Sequence, residues 1–252
     1  MASRPKRSGK QRLDERLVAD GLAESRSHAQ ALILTGDVLV DDVPVDKAGT
    51  RIADQAALRV RRPLRRYVSR GGEKLAGALE DLGVDPTGLY CLDVGASTGG
   101  FTDCLLQAGA RGVVAVDVGH GQLHPKLRSD ERVRVHERTN ARELDARHVA
   151  ESVDLVVADV SFISLRLLLP HFVEVAPQAE LVLMVKPQFE IGRKRVGKGG
   201  VVRDDGLRAE AVLSVTEAAA ELGFVIVAQA DSRLAGPKGN REIFVHLRRG
   251  RR

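Results

Sequence analysis

The chain has 252 residues, of which 43% are hydrophobic and 29% charged, so it can bury a substantial core and global disorder is excluded. At roughly 150 residues per domain, this length predicts one large domain or two unequal ones. Lysine and arginine (39) outnumber aspartate and glutamate (34), and the net charge of +5 favours a polyanionic partner such as RNA, DNA or an anionic membrane. With 3% aromatic residues and no tryptophan, a stacked aromatic platform for single strands is not expected.

The cysteines and the N-terminal residues bear on cell compartment and metal binding. Cys91 and Cys104 fit no zinc-binding or thioredoxin-type spacing, and we interpret them as small buried residues of a reduced, cytoplasmic protein. No metal site is expected. The basic residues 1–10 are not followed by an apolar signal segment, and no run approaches the roughly 18 apolar residues of a membrane span.

Residues 10–60 predict a small α+β module, preceded by a disordered basic tail at residues 1–9. Two short amphipathic segments favour helices, the second with Ser25 as its N-cap. Two β-prone stretches then flank Asp41-Asp42, which indicates a hairpin. An arginine-rich linker at residues 61–69 separates this module from the rest of the chain.

Residues 70–248 alternate apolar runs with helical segments, and residues 249–252 form a C-terminal tail. This alternation predicts a doubly wound, mainly parallel seven-stranded α/β sheet covered by helices on both faces. The predicted strands are Tyr90–Val94, Val113–Val118, Val133–His136, Val153–Val160, Leu181–Val185, Val225–Ala228 and Glu242–Leu247. The predicted helices include Glu73–Leu82, Phe101–Ala108, Leu165–Val175 and Leu207–Leu222.

A glycine-rich turn joins the first strand of this domain to the next helix. The strand containing Asp93 runs into residues 95–100, and such a turn lets a ligand approach backbone N–H groups. Ser97 stands where a dinucleotide motif has its second glycine. Asp93 suits a cationic amino-acid head, and Asp117 at the end of the next strand suits ribose hydroxyls. The turn therefore favours S-adenosylmethionine over NAD, with a ligand-free tight turn as the alternative.

Four charged residues stand at or near the ends of predicted elements. Asp159 and Lys186 each close an apolar strand, and ligands of open α/β sheets bind beyond such strand ends. Glu242 opens the last strand and lies at the same sheet edge as Asp159 and Lys186 if that strand is antiparallel. Lys74, on the helix before the strand that contains Asp93, could reach this edge from its flank. A lysine that has lost its proton, which a neighbouring cation favours, can deprotonate a weakly acidic hydroxyl. Lys186 is the candidate base, although each residue alone also fits a strand-end salt bridge.

Five stretches resemble the signature motifs of the TlyA-type rRNA 2′-O-methyltransferases, often called hemolysin A, whose catalytic domain is FtsJ/RrmJ-like. These stretches are residues 70–75, 93–101, 137–142, 158–164 and 185–190. The resemblance extends over essentially the whole chain. It implies a Rossmann-like class I methyltransferase fold, S-adenosylmethionine as donor, and cytidine 2′-hydroxyls of 16S or 23S rRNA in ribosomal subunits as targets.

The same resemblance implies roles for particular residues. The Lys-Asp-Lys-Glu tetrad of the family corresponds to Lys74, Asp159, Lys186 and Glu242. The implied cofactor-binding residues are Asp93, Gly95, Ala96, Ser97, Thr98, Gly99, Gly100, Phe101, Asp117 and Asn140.

The N-terminal module resembles the S-four RNA-binding domain of the same family. The matching residues are Arg12-Leu13-Asp14, Gly21-Leu22, Ser25-Arg26 and Gly36-Asp37-Val38. The module departs from the pattern at Asp41-Asp42, where a glycine is usual, but aspartate tolerates the left-handed conformation. The expected phosphate contacts, for which a solvated charged surface is the alternative, are Arg12, Arg16, Arg26 and His28, then Arg65, Arg66 and Arg70, and Arg193, Lys194, Arg195 and Lys198.

Three other functions stay open on the sequence alone. A non-catalytic RNA-binding or ribosome assembly factor would use the same fold without transferring a methyl group. An NAD-dependent oxidoreductase would bind NAD at the glycine turn. A membrane-active hemolysin is the third, although no segment resembles a pore-forming element. The sequence leaves the oligomeric state and the modified nucleotide undetermined.

Overall fold

The computed structural model describes residues 9–23, 25–34, 36–61, 66–149, 151–236 and 238–250. The chain divides into two compact units, Met1–Arg65 and Arg66–Arg252. The basic tail predicted at residues 1–9 lies almost wholly outside the described residues, as does the middle of the predicted linker. Among the described residues, no helix combines the length and apolarity that crossing a bilayer requires.

The described residues of the first unit form two helices and five short strands. In chain order they are β1 Lys10–Arg12, α1 Leu13–Ala19, α2 Arg26–Leu34, β2 Val38–Val40, β3 Val43–Pro44, β4 Arg51–Ala53 and β5 Leu58–Val60. The predicted hairpin is β2–β3, and both turn residues, Asp41 (φ 49°) and Asp42 (φ 63°), adopt the left-handed conformation expected of them. The pairing of β1 with β4 was not predicted, because it joins two three-residue segments far apart in the chain.

In the second unit, the described ranges contain six α-helices and seven strands. In chain order they are α3 Arg70–Leu82, β6 Tyr90–Val94, α4 Gly100–Gln107, β7 Gly112–Val116, α5 Pro125–Arg128, β8 Val133–His136, β9 Leu155–Ala158, α6 Leu169–Val175, β10 Glu180–Val185, α7 Pro187–Glu190, α8 Asp205–Glu221, β11 Phe224–Asp231 and β12 Ile243–Arg249. All seven predicted strands are present, with ends that shift by a few residues. The predicted helix Leu165–Val175 is instead a 3₁₀ turn, Leu165–Leu167, followed by α6.

The seven strands form one sheet in the order β11-β12-β10-β9-β6-β7-β8. β8, β7, β6, β9 and β10 run parallel, whereas β12 is antiparallel to both β10 and β11. The order of the parallel strands reverses around β6, the first strand of the unit. In open α/β sheets, ligands bind at such a switch point, beyond the carboxyl ends of the strands.

The apolar residues of the central strands alternate between two cores, because successive side chains of a strand point to opposite faces. On β6, Leu92 belongs to the core that α6 and α8 cover, whereas Cys91 belongs to the core that α3 and α4 cover. Both faces of the central strands are therefore packed with apolar side chains, and the charged residues of β6 and β10, Asp93 and Glu180, stand in the last two or the first positions of their strands. This places the chemistry of the unit at the sheet edge.

In the first unit, the side chain of Asp14 is fully buried and organises the predicted RNA-binding arginines. Its carboxylate accepts hydrogen bonds from Nε and Nη2 of Arg12, each at 2.9 Å, from Nε of Arg26 at 3.0 Å and from Nε2 of Gln30 at 3.0 Å. The Arg12 guanidinium, more than any other group, holds the pKa of this carboxyl well below its ordinary value. Asp14 thus joins α1 to α2 through charge-assisted hydrogen bonds.

Replacing Asp14→Asn should destabilise the first unit by on the order of 3 kcal/mol, because two guanidinium groups lose a buried counter-charge. The deficit should be full above pH 4 and shrink at lower pH, since a depressed carboxyl pKa contributes stability that protonation removes. Hydrogen exchange of the amides of residues 11–60 measures it. Asp20→Asn, at the surface ion pair with Arg16, is the control and should cost no more than about 1 kcal/mol. Equal protection factors in the two variants would contradict this role of Asp14.

Candidate active site

Three neighbouring strands of the large sheet have a charged residue at the same edge. Asp159 follows β9, Lys186 follows β10, and Glu242 precedes β12. Because β12 is antiparallel to β10, with Val185 opposite Ile243, its first residues lie beside the carboxyl end of β10. The antiparallel orientation that the sequence analysis required for Glu242 is therefore present.

The four tetrad residues form two short ion pairs. Nζ of Lys74, on α3, lies 2.5 Å from Oε2 of Glu242, and both side chains are buried. Nζ of Lys186 lies 2.5 Å from Oδ1 of Asp159 and donates a hydrogen bond to Oγ of Ser161 at 3.0 Å. One tenth of the Lys186 side chain and one quarter of the Asp159 side chain remain exposed, so this second pair is reachable from solvent.

The glycine turn approaches the second ion pair closely. Gly95 has φ 85°, and a Cβ there would collide with the carbonyl oxygen of Asp159. The amide of Asp159 in turn donates to the carbonyl of Val94 at 3.0 Å. Gly99 has φ 93° and is the N-cap of α4. Only glycine combines this backbone conformation with such an approach, so the turn and the Lys186–Asp159 pair form one continuous site.

Asp93, one residue before the end of β6, is completely buried. Its Oδ2 accepts a hydrogen bond from Oγ1 of Thr102 at 2.6 Å, but its buried Oδ1 has no partner among the described residues. Burial raises the pKa of this carboxyl to about 7. A buried acceptor without a donor is costly, and a ligand ammonium group would satisfy it.

Asp117, directly after β7, holds the outer part of the turn. Its carboxylate accepts hydrogen bonds from the amides of Ser97 at 2.9 Å and Gly119 at 2.6 Å. A carboxylate has further lone pairs, so Asp117 can also accept hydrogen bonds from two ribose hydroxyls. The amide of Thr139 donates to the carbonyl of Asp117, which brings the exposed Asn140 to the same place.

The remaining predicted cofactor residues fall into two groups. Ser97 and Thr98 are exposed at the tip of the turn, whereas Ala96, Gly100 and Phe101 are buried. The ring of Phe101 packs against Phe244 in the core, with 6.1 Å between centroids. The structure thus brings Asp93, Asp117 and the turn together, and it directs the Phe101 side chain away from solvent.

Sequence reasoning missed Phe162, an unusually exposed aromatic residue. Its side chain is 88% exposed, and its φ of 67° is a strained conformation for a bulky residue. Its ring lies against Phe189 on α7, with 5.2 Å between centroids. Phe162 follows Ser161, the hydroxyl partner of Lys186, so the aromatic pair flanks the candidate base. The signal available in the sequence was that Phe162 stands only three positions after Asp159, a predicted tetrad residue.

Glu190 anchors the segment that carries Phe162. Oγ of Ser164 donates to Glu190 Oε2 at 2.5 Å, and the amide of Leu165 donates to Oε1 at 2.9 Å. Burial raises the pKa of the Glu190 carboxyl. Residues 159–165 are thereby fixed to α7, the helix that begins after Lys186.

Several predicted RNA-binding side chains are engaged within their own unit. Arg16 pairs with Asp20, and Arg195 forms a two-pronged ion pair with Glu210 on α8. Arg70 donates to the carbonyl of Ala235 at 3.2 Å, whereas Lys194 is exposed. Arg12 and Arg26 contact Asp14, His28 is exposed, and Arg66 lies over the Tyr67 ring. Arg65 and the side chains of Arg193 and Lys198 lie outside the described residues.

Comparison with known families agrees with this architecture. Residues 67–249 match the model of the FtsJ-like methyltransferases, and residues 11–55 match the model of the S4 domain. These matches and the seven-stranded sheet confirm the predicted Rossmann-like methyltransferase fold with an N-terminal S4 domain.

Individual relatives align over nearly the full chain. The 16S/23S rRNA (cytidine-2′-O)-methyltransferase TlyA of Mycobacterium tuberculosis is 52% identical over 239 residues, 94% of this chain and 89% of the relative. Hemolysin A of Brachyspira hyodysenteriae is 42% identical over 94% of this chain and 99% of its own length. A solved structure of a candidate hemolysin from Streptococcus thermophilus superposes with a TM-score of 0.75 at 38% identity, covering 96% and 90% of the two chains. The chain therefore belongs to the TlyA-type family of methyltransferases, which joins an S4 domain to an FtsJ-like catalytic domain.

Proposed function

We propose that this protein transfers a methyl group from S-adenosylmethionine to the 2′-oxygen of a cytidine in ribosomal RNA. The observation that carries the proposal is the Lys186–Asp159 ion pair, which is partly open to solvent. Its Asp159 backbone lies against the glycine turn that follows Asp93, a buried carboxylate of which one oxygen has no partner among the described residues. The M. tuberculosis relative, a 16S/23S rRNA (cytidine-2′-O)-methyltransferase by name, supports the choice of substrate.

The donor would bind along the turn between Asp93 and Asp117. The unpartnered Oδ1 of Asp93 would accept a hydrogen bond from the ammonium group of its amino-acid part. Asp117, fixed by two backbone amides, would accept hydrogen bonds from its ribose hydroxyls. When bound, the donor supplies an electrophilic methyl group on a positively charged sulfur.

Lys186 would act as a base in its neutral amine form, which the positive charge of a bound donor favours. The amine would then take the proton of the ribose hydroxyl as the oxygen attacks the methyl carbon. Its Nζ is held from two sides, by Oδ1 of Asp159 and Oγ of Ser161, so a direction toward solvent remains for the substrate. The oxygen–carbon bond forms as the carbon–sulfur bond breaks, and the proton passes to Lys186. Lys74 and Glu242, bonded to each other in the buried pair, would fix the neighbouring wall of the site. Alignment of the reacting atoms is the main catalytic contribution.

The two units would divide the work. We propose that residues 10–60 capture structured RNA, largely through phosphate contacts, while residues 70–248 bind the donor and perform the transfer. The net charge of +5 favours binding to a polyanion such as RNA. The protein would act in the cytoplasm, where ribosomal subunits are found.

The catalytic role of Lys186 is tested by Lys186→Ala. Removing a general base should lower single-turnover methyl transfer to unmodified ribosomal subunits by about 10²- to 10⁴-fold, with donor affinity unchanged within about threefold. Labelled donor measures transfer and calorimetry measures binding. Arg134→Ala, which removes an exposed cation of β8 at the edge of the sheet away from β10, is the matched control and should keep transfer within a few-fold of wild type. Wild-type rates for Lys186→Ala would refute the assignment.

If the wild-type protein binds ribosomal subunits but yields no methylated product, it is a non-catalytic assembly factor instead.

The raised pKa of Asp93 predicts a pH dependence of donor binding. The carboxyl, with its pKa near 7, is largely protonated at pH 6, and only the ionised form attracts an ammonium group. Donor affinity should therefore rise severalfold between pH 6 and 7.5. Asp93→Asn should bind the donor weakly and lose this dependence, whereas Asp117→Asn should bind weakly and keep it. A flat wild-type profile in calorimetric titrations would contradict the role of Asp93.

Phe162 is expected to stack on the base of the target nucleotide. Such stacking contributes about 1–3 kcal/mol per base, so Phe162→Ala should lower kcat/KM by roughly 5- to 150-fold, while Phe162→Tyr keeps most activity. Phe162→Gly separates stacking from stability, because it removes the strain at φ 67° and should not lower the melting temperature. Retention of full activity by the glycine variant would show that the ring has no part in substrate binding.

A further inference from the structure

A basic cavity of about 460 Å³ lies in the second unit, between the residues that precede α8 and those that precede β12. Four cationic side chains line it, Arg203, Arg208, Lys238 and Arg241, together with one acidic side chain, Asp205. None of these residues is among those that the sequence motifs single out.

The charges of the cavity are only partly compensated. Asp205 forms an ion pair with Arg208, whose Nη1 also donates to the carbonyl of Arg203 at 3.1 Å. Arg203, Lys238 and Arg241 are exposed, and within the described part of the chain none of them has an ion-pair partner. Three unpaired cations that line one concavity repel each other, and an anion bound among them would relieve that repulsion.

The cavity is rigidly linked to the catalytic site. Asn240 is buried; its Oδ1 accepts from the amide of Val202 at 2.9 Å and its Nδ2 donates to the carbonyl of Gly200 at 2.8 Å. This one side chain joins the two segments that line the cavity. Glu242 lies two residues after Asn240. The backbone of Gly236 packs so closely on Glu242 that a Cβ there would be 2.7 Å from Oε1 of Glu242. The loop that lines the cavity therefore also positions Glu242.

We propose that this cavity binds a phosphate of the RNA backbone next to the target nucleotide. The inference rests on the proposed function, because the target ribose would lie at Lys186 and its flanking phosphates one linkage away along the strand. Guanidinium groups suit such an oxyanion, since each can donate two parallel hydrogen bonds to its oxygens. Arg203 and Arg241 have free guanidinium groups for this purpose, unlike Arg195, which is paired with Glu210.

The test compares Arg241→Ala and Arg241→Glu with a matched control, Arg134→Ala, an exposed arginine of β8 at the opposite edge of the sheet. We expect Arg241→Ala to raise KM for ribosomal subunits about 5- to 20-fold and to reduce the slope of log KM against log salt by about one. Arg241→Glu should have the larger effect. Neither should change kcat or donor affinity beyond about threefold, and Arg134→Ala should resemble wild type.

The outcomes separate this inference from the proposed function. A wild-type KM and salt slope in Arg241→Glu, or an equal loss in Arg134→Ala, would overturn the phosphate site while the enzyme stays active. Absence of methyl transfer by the wild-type protein would overturn the proposed function. In that case, subunit affinity measured without donor still decides the cavity: weaker, less salt-dependent binding by Arg241→Glu supports it, and unchanged binding refutes it.

Discussion

The Lys186–Asp159 ion pair is the interaction on which the rest of the site depends. The strands before these residues, β10 and β9, are adjacent and parallel, and their side chains next to the two charged residues are apolar and buried. Placed one residue beyond each strand, the two side chains meet at 2.5 Å while part of each remains exposed. The glycine turn contacts the backbone of Asp159, and Ser161 contacts Lys186, so the turn and the segment after β9 converge on this pair.

Much of this arrangement could be predicted from the sequence because it follows from local patterns. Runs such as Leu155–Ala158 are wholly apolar and are followed by a charged residue. This pattern predicts both the strand and the end at which a ligand would bind. The position of Glu242 could be predicted only conditionally, since strand direction depends on the pairing of β12 with β10. Tertiary features could not be predicted: the left-handed backbone of Phe162, the lack of a partner for Asp93 Oδ1 within the described ranges, and the pairing of β1 with β4.

The arginines illustrate the same limit. The sequence shows which side chains are cationic. Only the fold shows which of them already form an ion pair with a carboxylate of the same chain. Arg16 and Arg195 are paired with Asp20 and Glu210, respectively, whereas Arg203 and Arg241, which no motif distinguishes, line a cavity beside Glu242. The excess of positive charge therefore indicates the kind of partner, while the pairing of each cation indicates where that partner can bind.

The chemical identity of the product is the direct test of ribose methylation by this protein. Unmodified small and large ribosomal subunits, incubated with the protein and labelled S-adenosylmethionine, would be digested to nucleosides and analysed by mass spectrometry. The proposed function, in which Lys186 deprotonates a ribose hydroxyl of cytidine, predicts label in 2′-O-methylcytidine. Label on a nucleobase carbon or nitrogen, or no label in either subunit, would contradict the account.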